Sequence, residues 1–399
     1  MAKRIGVLTG GGDTSALNAT LEGVALKAEE LGFELIGFMK GWRGVLNGGS
    51  YFTLTPDLID ENQGGTLLKS SRTNLIAENK MDEAIDNLRK FRIDGLIPIG
   101  GDDTLSIGAA LSEIFTTTFV AKTIDNDVGL NAPNGDSIDY SQIVNYFCLG
   151  FPTAASRLIN CVRDLRTTAY SHDRIFFVET MGRDAGWLTL SAAYGNADLI
   201  VVPEVRYDAD RLAAAIEKKY AEIGNVVVVI AEGIRNRKGE LMISSQEEID
   251  AFGHTTPGGC SELIAAAMKR RLSPAIPVSS FRHLILAHLQ RCGAPIQIDR
   301  DSAVRAGWLA VDAFAKGQAN HVAAITRTEV GLQPKLFPLD EIIKFDDAGK
   351  VIPRNIDLRF YDTENLQISR AGIGYFRPIF GDLPKPYYVP LTELDIHQI

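Results

Sequence analysis

Ile5-Gly6-Val7-Leu8-Thr9-Gly10-Gly11-Gly12-Asp13-Thr14 reads as a short apolar strand running straight into a glycine turn. Behind it Leu17, Leu21, Val24, Ala25 and Ala28 recur at helical spacing, and Leu35-Ile36-Gly37-Phe38 forms the next strand-like run. Strand, turn, helix and strand in that order predict a parallel crossover. The pattern then repeats. Met81 to Phe91 has helical spacing through Ala84, Ile85 and Leu88, ahead of the apolar run Gly95–Ile99. A helical pattern over Leu105, Ala109, Leu111 and Ile114 leads to a run ending Thr118-Phe119-Val120. Such alternation predicts a three-layer α/β fold with mostly parallel strands.

From about Asn131 to Ser141 the composition shifts to Asn, Pro, Gly and Asp, which marks a crossing to a second lobe. Pro152 suits the first turn of a helix running through Ala155, Leu158, Ile159 and Val162. Strand-like runs follow at Ile175–Val178, Leu199–Val202, Val226–Ile230 and Leu284–Leu286, with helical patterns over Asp208–Glu222 and Cys260–Arg271. The 399 residues are thus expected to form two αβα lobes, with the ligand in the cleft between them. From about Gly331 to Ile399 the chain mixes Pro, Gly and aromatics, and no chemistry is assigned to it.

A hydrophobic content of 45% is enough to bury a large core. The net charge of −9 disfavours nucleic acid or an anionic membrane as the main partner, while arginine clusters leave a small anion open. Cys148, Cys161, Cys260 and Cys292 show neither paired spacing nor a zinc pattern and are expected to be reduced thiols in the cytoplasm. No apolar stretch reaches the ~20 residues of a spanning helix.

Three strand ends carry the chemistry. Gly10–Asp13 offers unhindered backbone N–H groups that suit phosphate, although a tight turn needing positive φ explains the glycines equally well. Gly100-Gly101-Asp102-Asp103 combines flexible backbone with two carboxylates; Asp102 suits Mg²⁺, and one of the two aspartates, with Asp103 well placed, is expected to cap the following helix. Ala121-Lys122-Thr123-Ile124-Asp125-Asn126-Asp127 packs two carboxylates, an amide and an ammonium behind an apolar run. Later, Arg174 opens one strand-like run and Met181-Gly182-Arg183 closes it. Arg282 and His288-Leu289-Gln290-Arg291 bracket another, and Glu232 closes a third. Arginine's planar fork matches phosphate oxygens, so these brackets suggest a sugar phosphate.

Thr123–Asp127, Met181–Arg183 and His288–Arg291 together resemble the signature blocks of the phosphofructokinases, over roughly Ile5 to Gly317. The resemblance implies a donor lobe of residues 1–137 with about 291–340, a sugar-phosphate lobe of 138–290, and a C-terminal extension of 341–399. It assigns Asp125 as the base on the sugar 1-hydroxyl, Asp127 as a supporting catalytic group and Asp102 as the Mg²⁺-associated carboxylate. Gly11, Gly12, Arg72 and Arg183 are implied at the transferring phosphoryl. Arg174, Arg282, His288 and Arg291 are implied at the 6-phosphate, with Thr123, Met181, Gly182 and Glu232 on the sugar. Arg174 and Arg282 are expected from a neighbouring subunit, which implies a homodimer or homotetramer.

ATP-dependent members of the family usually carry glycine where this chain has Asp103 and Lys122. Asp and Lys there resemble the pyrophosphate-dependent branch. A carboxylate at Asp103 meets the space of an ATP α-phosphate, where a like charge ~4 Å away costs roughly 4 kcal/mol. Lys122 is expected either to neutralise a pyrophosphate oxygen or to pair with Asp103. Fructose 6-phosphate and pyrophosphate are therefore the expected substrates of a reversible transfer. The chain departs from the family at Ser15-Ala16, where Pro-Gly is common, and at Cys292 and Ala294, where Gly and Ser are usual. Alternatives are ATP as donor, sedoheptulose 7-phosphate as acceptor, or a regulatory subunit that binds sugar phosphate without turnover. A nicotinamide-nucleotide kinase shares only the Gly-Gly-Asp block.

Overall fold

The computed structural model describes residues 2–135, 137–243, 258–273, 275–346, 351–386, 393–395 and 397. Over these, the chain divides into two compact units. One takes Met1–Ala154 with Arg291–Arg354; the other takes Ala155–Ile249, Thr255–Gln290 and Asn355–Ile399.

The first unit begins as its apolar pattern dictates. β1 (Arg4–Thr9) is buried from Ile5 onward, and α1 (Leu17–Glu30) returns the chain to β2 (Glu34–Phe38), parallel to β1 with Ile5 opposite Leu35. β3 (Tyr51–Thr53) adds an antiparallel edge, and α2 (Met81–Lys90) leads into β4 (Gly95–Gly100). α3 (Asp102–Leu111) and β5 (Thr116–Thr123) follow. α3 stops before Ile114, which is 46% exposed, because the Ser112 N–H and hydroxyl both donate to the Ala109 carbonyl and close the helix. The first unit runs to Ala154 because β6 (Leu149–Gly150) pairs with the end of β5, Lys122 opposite Leu149.

α4 (Phe151–Ser171), with Pro152 in its first turn, opens the second unit's series. There follow β7 (Ile175–Thr180), α5 (Trp187–Ser191), β8 (Leu199–Val201), α6 (Ala209–Ile223) and β9 (Val226–Ala231). α7 (Cys260–Leu272) and β10 (Phe281–Ile285) complete it, β10 starting three residues ahead of the expected run. Asp208 caps α6, accepting from the N–H groups of Asp210 and Arg211. β10-β7-β9-β8 is an all-parallel sheet.

The chain then rejoins the first unit through α8 (Gln297–Ala315), β11 (His321–Thr328), β12 (Gly331–Pro338) and α9 (Leu339–Ile342). The first sheet has the order β12-β11-β5-β4-β1-β2-β3, parallel except for its two edge strands. Strand residues Leu8, Ile36, Phe38 and Leu96 form one core with Leu88 of α2 and Leu111 of α3. α8 holds β5 through a 2.9 Å bond from Thr118 Oγ1 to the Ala310 carbonyl. From β1 the chain goes to β2 on one side and then to β4 on the other. The carboxyl ends of β1 and β4 therefore flank a topological switch point, where such sheets bind ligands.

The C-terminal stretch divides between the units. β12 closes the first sheet. β13 (Tyr361–Asp362), β14 (Gln367–Ile368) and α10 (Arg370–Phe380) belong to the second, where Tyr375 stacks 4.8 Å from Trp187 and 5.3 Å from Phe360. Among the described residues no helix is long and apolar enough to cross a membrane.

Candidate active site

The first unit's three polar strand ends come from adjacent strands. β1 passes into Gly10–Asp13, with the Gly10 N–H bonded to the Ile99 carbonyl at 3.0 Å. β4 passes through Gly100 and Gly101 into α3. Both Gly10 and Gly100 are dictated by Thr104, whose side chain would lie 2.3 and 2.4 Å from a Cβ at those positions. Gly11 adopts φ +76°, and its N–H donates to the Ser71 carbonyl at 3.3 Å, which sets the exposed Arg72 beside the turn.

Asp103 is not the N-cap. That position is Gly101, without a side-chain cap, and both Asp102 and Asp103 stand in the first turn of α3. Their charges favour the positive end of the helix dipole there, leaving the carboxylates half-buried at the turn.

Lys122, 2% exposed, extends from β5 beneath the glycine turn. Its ammonium donates to the Gly10 carbonyl at 3.1 Å and to that of Gly12, and lies 3.8 Å from a Cβ position on Gly11. Burial first, then the charge of Arg291, push Lys122 down to about 8, against the pull of Asp13, Asp127 and Asp102. Arg291 also belongs to this turn. Its Nε pairs with Asp13 Oδ1 at 3.0 Å, and its Nη1 lies 3.0 Å from a Cβ position on Gly12. Ser15, one of the departures from the family, is buried with its hydroxyl 3.4 and 3.3 Å from the Arg291 and Cys292 carbonyls.

Asp125-Asn126-Asp127 forms a tight turn past β5. Thr123 Oγ1 accepts the Asp125 N–H at 3.1 Å and bonds to the Asp127 carboxyl. Desolvation, together with the charges of Asp125 and Asp102, pushes Asp127 up to about 8. Asp125 and Asp102 are thus both within electrostatic reach of Asp127. Among the described residues no three His, Cys, Asp or Glu side chains are grouped to hold a metal by themselves. Oxygen donors of this kind fit Mg²⁺, which takes one or two carboxylates and completes its shell with phosphate and water.

The turn is held by Arg354, which lies in the stretch given no chemistry above. Its guanidinium, 4% exposed, donates from Nε and Nη2 to the Asn126 carbonyl, and from Nη2 to Asn126 Oδ1 at 2.8 Å. The Arg354 N–H donates to the Asp127 carbonyl at 2.6 Å. No local pattern marks this residue, 228 positions from Asn126.

In the second unit, Met181, Gly182 and Arg183 follow the carboxyl end of β7. The Met181 N–H donates 2.7 Å to Oε1 of buried Gln290, and the Glu232 N–H donates 2.9 Å to the Thr180 carbonyl. Arg183 pairs with Asp184 at 2.7 Å, and His288 is exposed near Gln290. Arg174 and Arg282 stand at the other end of the same strands. Arg174 precedes β7, and Arg282 lies opposite Phe176 in the register. The seven residue steps across β7, at about 3.3 Å each, separate Arg174 from Met181 by about 23 Å. One chain therefore does not gather all the sequence-predicted phosphate ligands in one cradle. A cavity of about 810 Å³ in this unit, lined in part by Arg166, Asp198, Arg211 and Lys218, contains none of them.

The profile described as Phosphofructokinase matches residues 4–314. The chain is 36% identical over 366 residues to the pyrophosphate–fructose 6-phosphate 1-phosphotransferase of Dictyoglomus thermophilum, covering 90% of this chain and 97% of that one. It is also 36% identical over 349 residues to ATP-dependent 6-phosphofructokinase 2 of Streptomyces coelicolor, covering 85% and 95%. The crystal structure of pyrophosphate-dependent phosphofructokinase from Marinobacter aquaeolei superposes with a TM-score of 0.77 at 18% identity, over 100% of this chain and 98% of that one, a likeness of fold.

The carboxylate crowding is testable without substrate. In the metal-free protein Asp127 stays protonated when folded between its ordinary 3.8 and about 8, but ionises when unfolded. Stability of the wild type should fall across that window, by at most about 1.4 kcal/mol per pH unit. Asp127→Asn removes this dependence. Its advantage in denaturant unfolding should grow from about pH 4 to pH 8 and then level off; parallel pH profiles would contradict the crowding.

Proposed function

The chain belongs to the phosphofructokinase family, and from that premise we propose that it transfers a phosphoryl group from pyrophosphate to the 1-hydroxyl of fructose 6-phosphate. The products are fructose 1,6-bisphosphate and phosphate, and the reaction is reversible because the phosphoanhydride made on reversal is of similar energy. The observation that carries the donor reading is the buried Lys122 ammonium beneath Gly10–Gly12, with Asp103 in the first turn of the neighbouring helix. Where ATP-dependent members have two glycines, this chain places a fixed cation and a carboxylate. The cation suits the compact charge of pyrophosphate, and the carboxylate opposes a further phosphate of a nucleotide.

Phosphoryl transfer asks mainly for in-line positioning and neutralisation of spreading charge. Asp125 takes the proton from the acceptor hydroxyl as the bond to phosphorus forms. Thr123 fixes both the Asp125 backbone and the Asp127 carboxyl. Arg72 and Arg183 supply positive charge to the phosphoryl oxygens, and the Gly11 N–H exchanges its long bond to Ser71 for one of them. Asp102, together with the donor's own oxygens, would hold Mg²⁺, which would supply positive charge to the phosphates. Met181, Gly182 and Glu232 hold the sugar, with His288 and Arg291 at its 6-phosphate. The cysteines, none of them in a disulfide, fit a reducing cytoplasm.

The second reading is ATP as donor, favoured by the 36% identity to an ATP-dependent relative. Initial rates with fructose 6-phosphate and Mg²⁺, with pyrophosphate or ATP at equal concentration, separate the two. Turnover with pyrophosphate alone is expected, and turnover with ATP alone would overturn the donor assignment. Sedoheptulose 7-phosphate in place of fructose 6-phosphate tests the acceptor.

The ends of β7 and β10 support a site completed by another copy of the chain, with Arg174 and Arg282 serving the partner's sugar phosphate. Arg174→Ala and Asp125→Ala homo-oligomers should both be severely impaired. Co-expressed, they should recover turnover, because one site of each hybrid pair then carries an intact Asp125 and an intact Arg174. Absence of recovery in a verified hybrid would place both residues' functions within one chain.

A further inference from the structure

We propose that Arg354 is a positioning residue for phosphoryl transfer, the clamp that sets the aim of the Asp125 carboxylate. The inference rests on the reading of Asp125 as the proton acceptor. Asn126, fully buried, adopts φ +58° between the two aspartates. A left-handed residue there turns the chain sharply but is costlier than the right-handed form, so the surroundings must hold it. Asn126 Oδ1 accepts the Cys148 N–H at 2.8 Å, and Arg354 adds a second, bifurcated hold on the same residue.

The clamp is built for a planar fork. Nε and Nη2 converge on the Asn126 carbonyl, Nη2 also reaches Asn126 Oδ1, and Nη1 donates to the Val144 and Asn145 carbonyls. The Arg354 main chain adds its bond to the Asp127 carbonyl, so side chain and backbone hold consecutive residues of one turn. Gly129 makes room: a Cβ there would lie 3.0 Å from Nη1 and 2.3 Å from the Val144 carbonyl. Asn145 in turn bonds to the Val128 carbonyl at 2.8 Å and accepts the Ile325 N–H at 3.3 Å, which anchors the clamp to β11. Lysine offers a point charge on a flexible stem and cannot reproduce this fork. Carbonyls left buried without donors would draw in water or let the turn relax. A shift of about 1 Å at a reacting group can cost about 100-fold in rate.

The test compares Arg354→Lys and Arg354→Ala with the wild type. In Arg354→Lys, kcat should fall by about 30- to 100-fold while KM for donor and acceptor each change less than about threefold. Free guanidinium at non-denaturing concentration should restore part of the Arg354→Ala rate. Hydrogen-exchange mass spectrometry should show faster exchange in residues 125–128 of Arg354→Lys, with the β1 and β4 peptides unchanged. Wild-type kcat and unchanged exchange in Arg354→Lys would overturn the proposal, even if Arg354→Ala fails to fold. Faster exchange with wild-type kcat would also overturn it, leaving Arg354 merely structural. If the wild type itself turns over no donor, the functional reading fails, and the exchange experiment still decides whether Arg354 holds the turn.

Discussion

A buried ammonium bonded to two glycine carbonyls organises the polar strand ends of the first unit. Lys122 comes from β5 yet ends under the turn after β1, with β4 between them in the sheet. It thereby ties together the ends of strands that the chain reaches more than a hundred residues apart. Taking an ammonium out of water costs several kcal/mol unless its donors are met. Two carbonyls and the nearby charges of Asp13, Asp127 and Asp102 meet that requirement, although burial and Arg291 still push the group down to about 8. The same ammonium is then a fixed positive charge beside Gly11, where backbone N–H groups suit phosphate.

Around it, carboxylates are crowded: Asp125 and Asp102 both act on the buried Asp127. Burial first, then the charges of Asp125 and Asp102, push Asp127 up to about 8. A buried carboxylate beside like charges costs stability unless a cation or proton offsets it. Two buried cations work on this region in different ways: Lys122 shapes the glycine turn from below, and Arg354 grips the aspartate turn through its backbone. Arginine serves the second task because several carbonyls must be met in one plane.

The α/β architecture was legible because the buried strands are mostly apolar runs and many of the turns between elements carry glycine or aspartate. Ile5–Thr9, Gly95–Ile99 and Ile175–Val178 all lie in strands, and Leu17, Leu21 and Val24 are fully buried on α1. Helix ends were less legible. Asp103 has the composition of an N-cap, but Gly101 takes that place, and Ser112 ends α3 before Ile114 through bonds that no periodicity announces. Arg354 was invisible because its partners are backbone carbonyls more than two hundred residues away. Carbonyls carry no residue identity for a pattern to detect. The opposite placement of Arg174 and Met181 was within reach, since six strand residues between them already fix a separation of about 23 Å.

The central claim is that Lys122 and Asp103 choose the phosphoryl donor. Its most direct measurement is the ratio of kcat/KM for pyrophosphate to kcat/KM for ATP, in the wild type and in Asp103→Gly/Lys122→Gly. Removing a buried cation and an opposing carboxylate at about 4 kcal/mol per misplaced charge should lower that ratio by at least about 100-fold, with some ATP use gained. A ratio unchanged in a folded, active double variant would contradict the account.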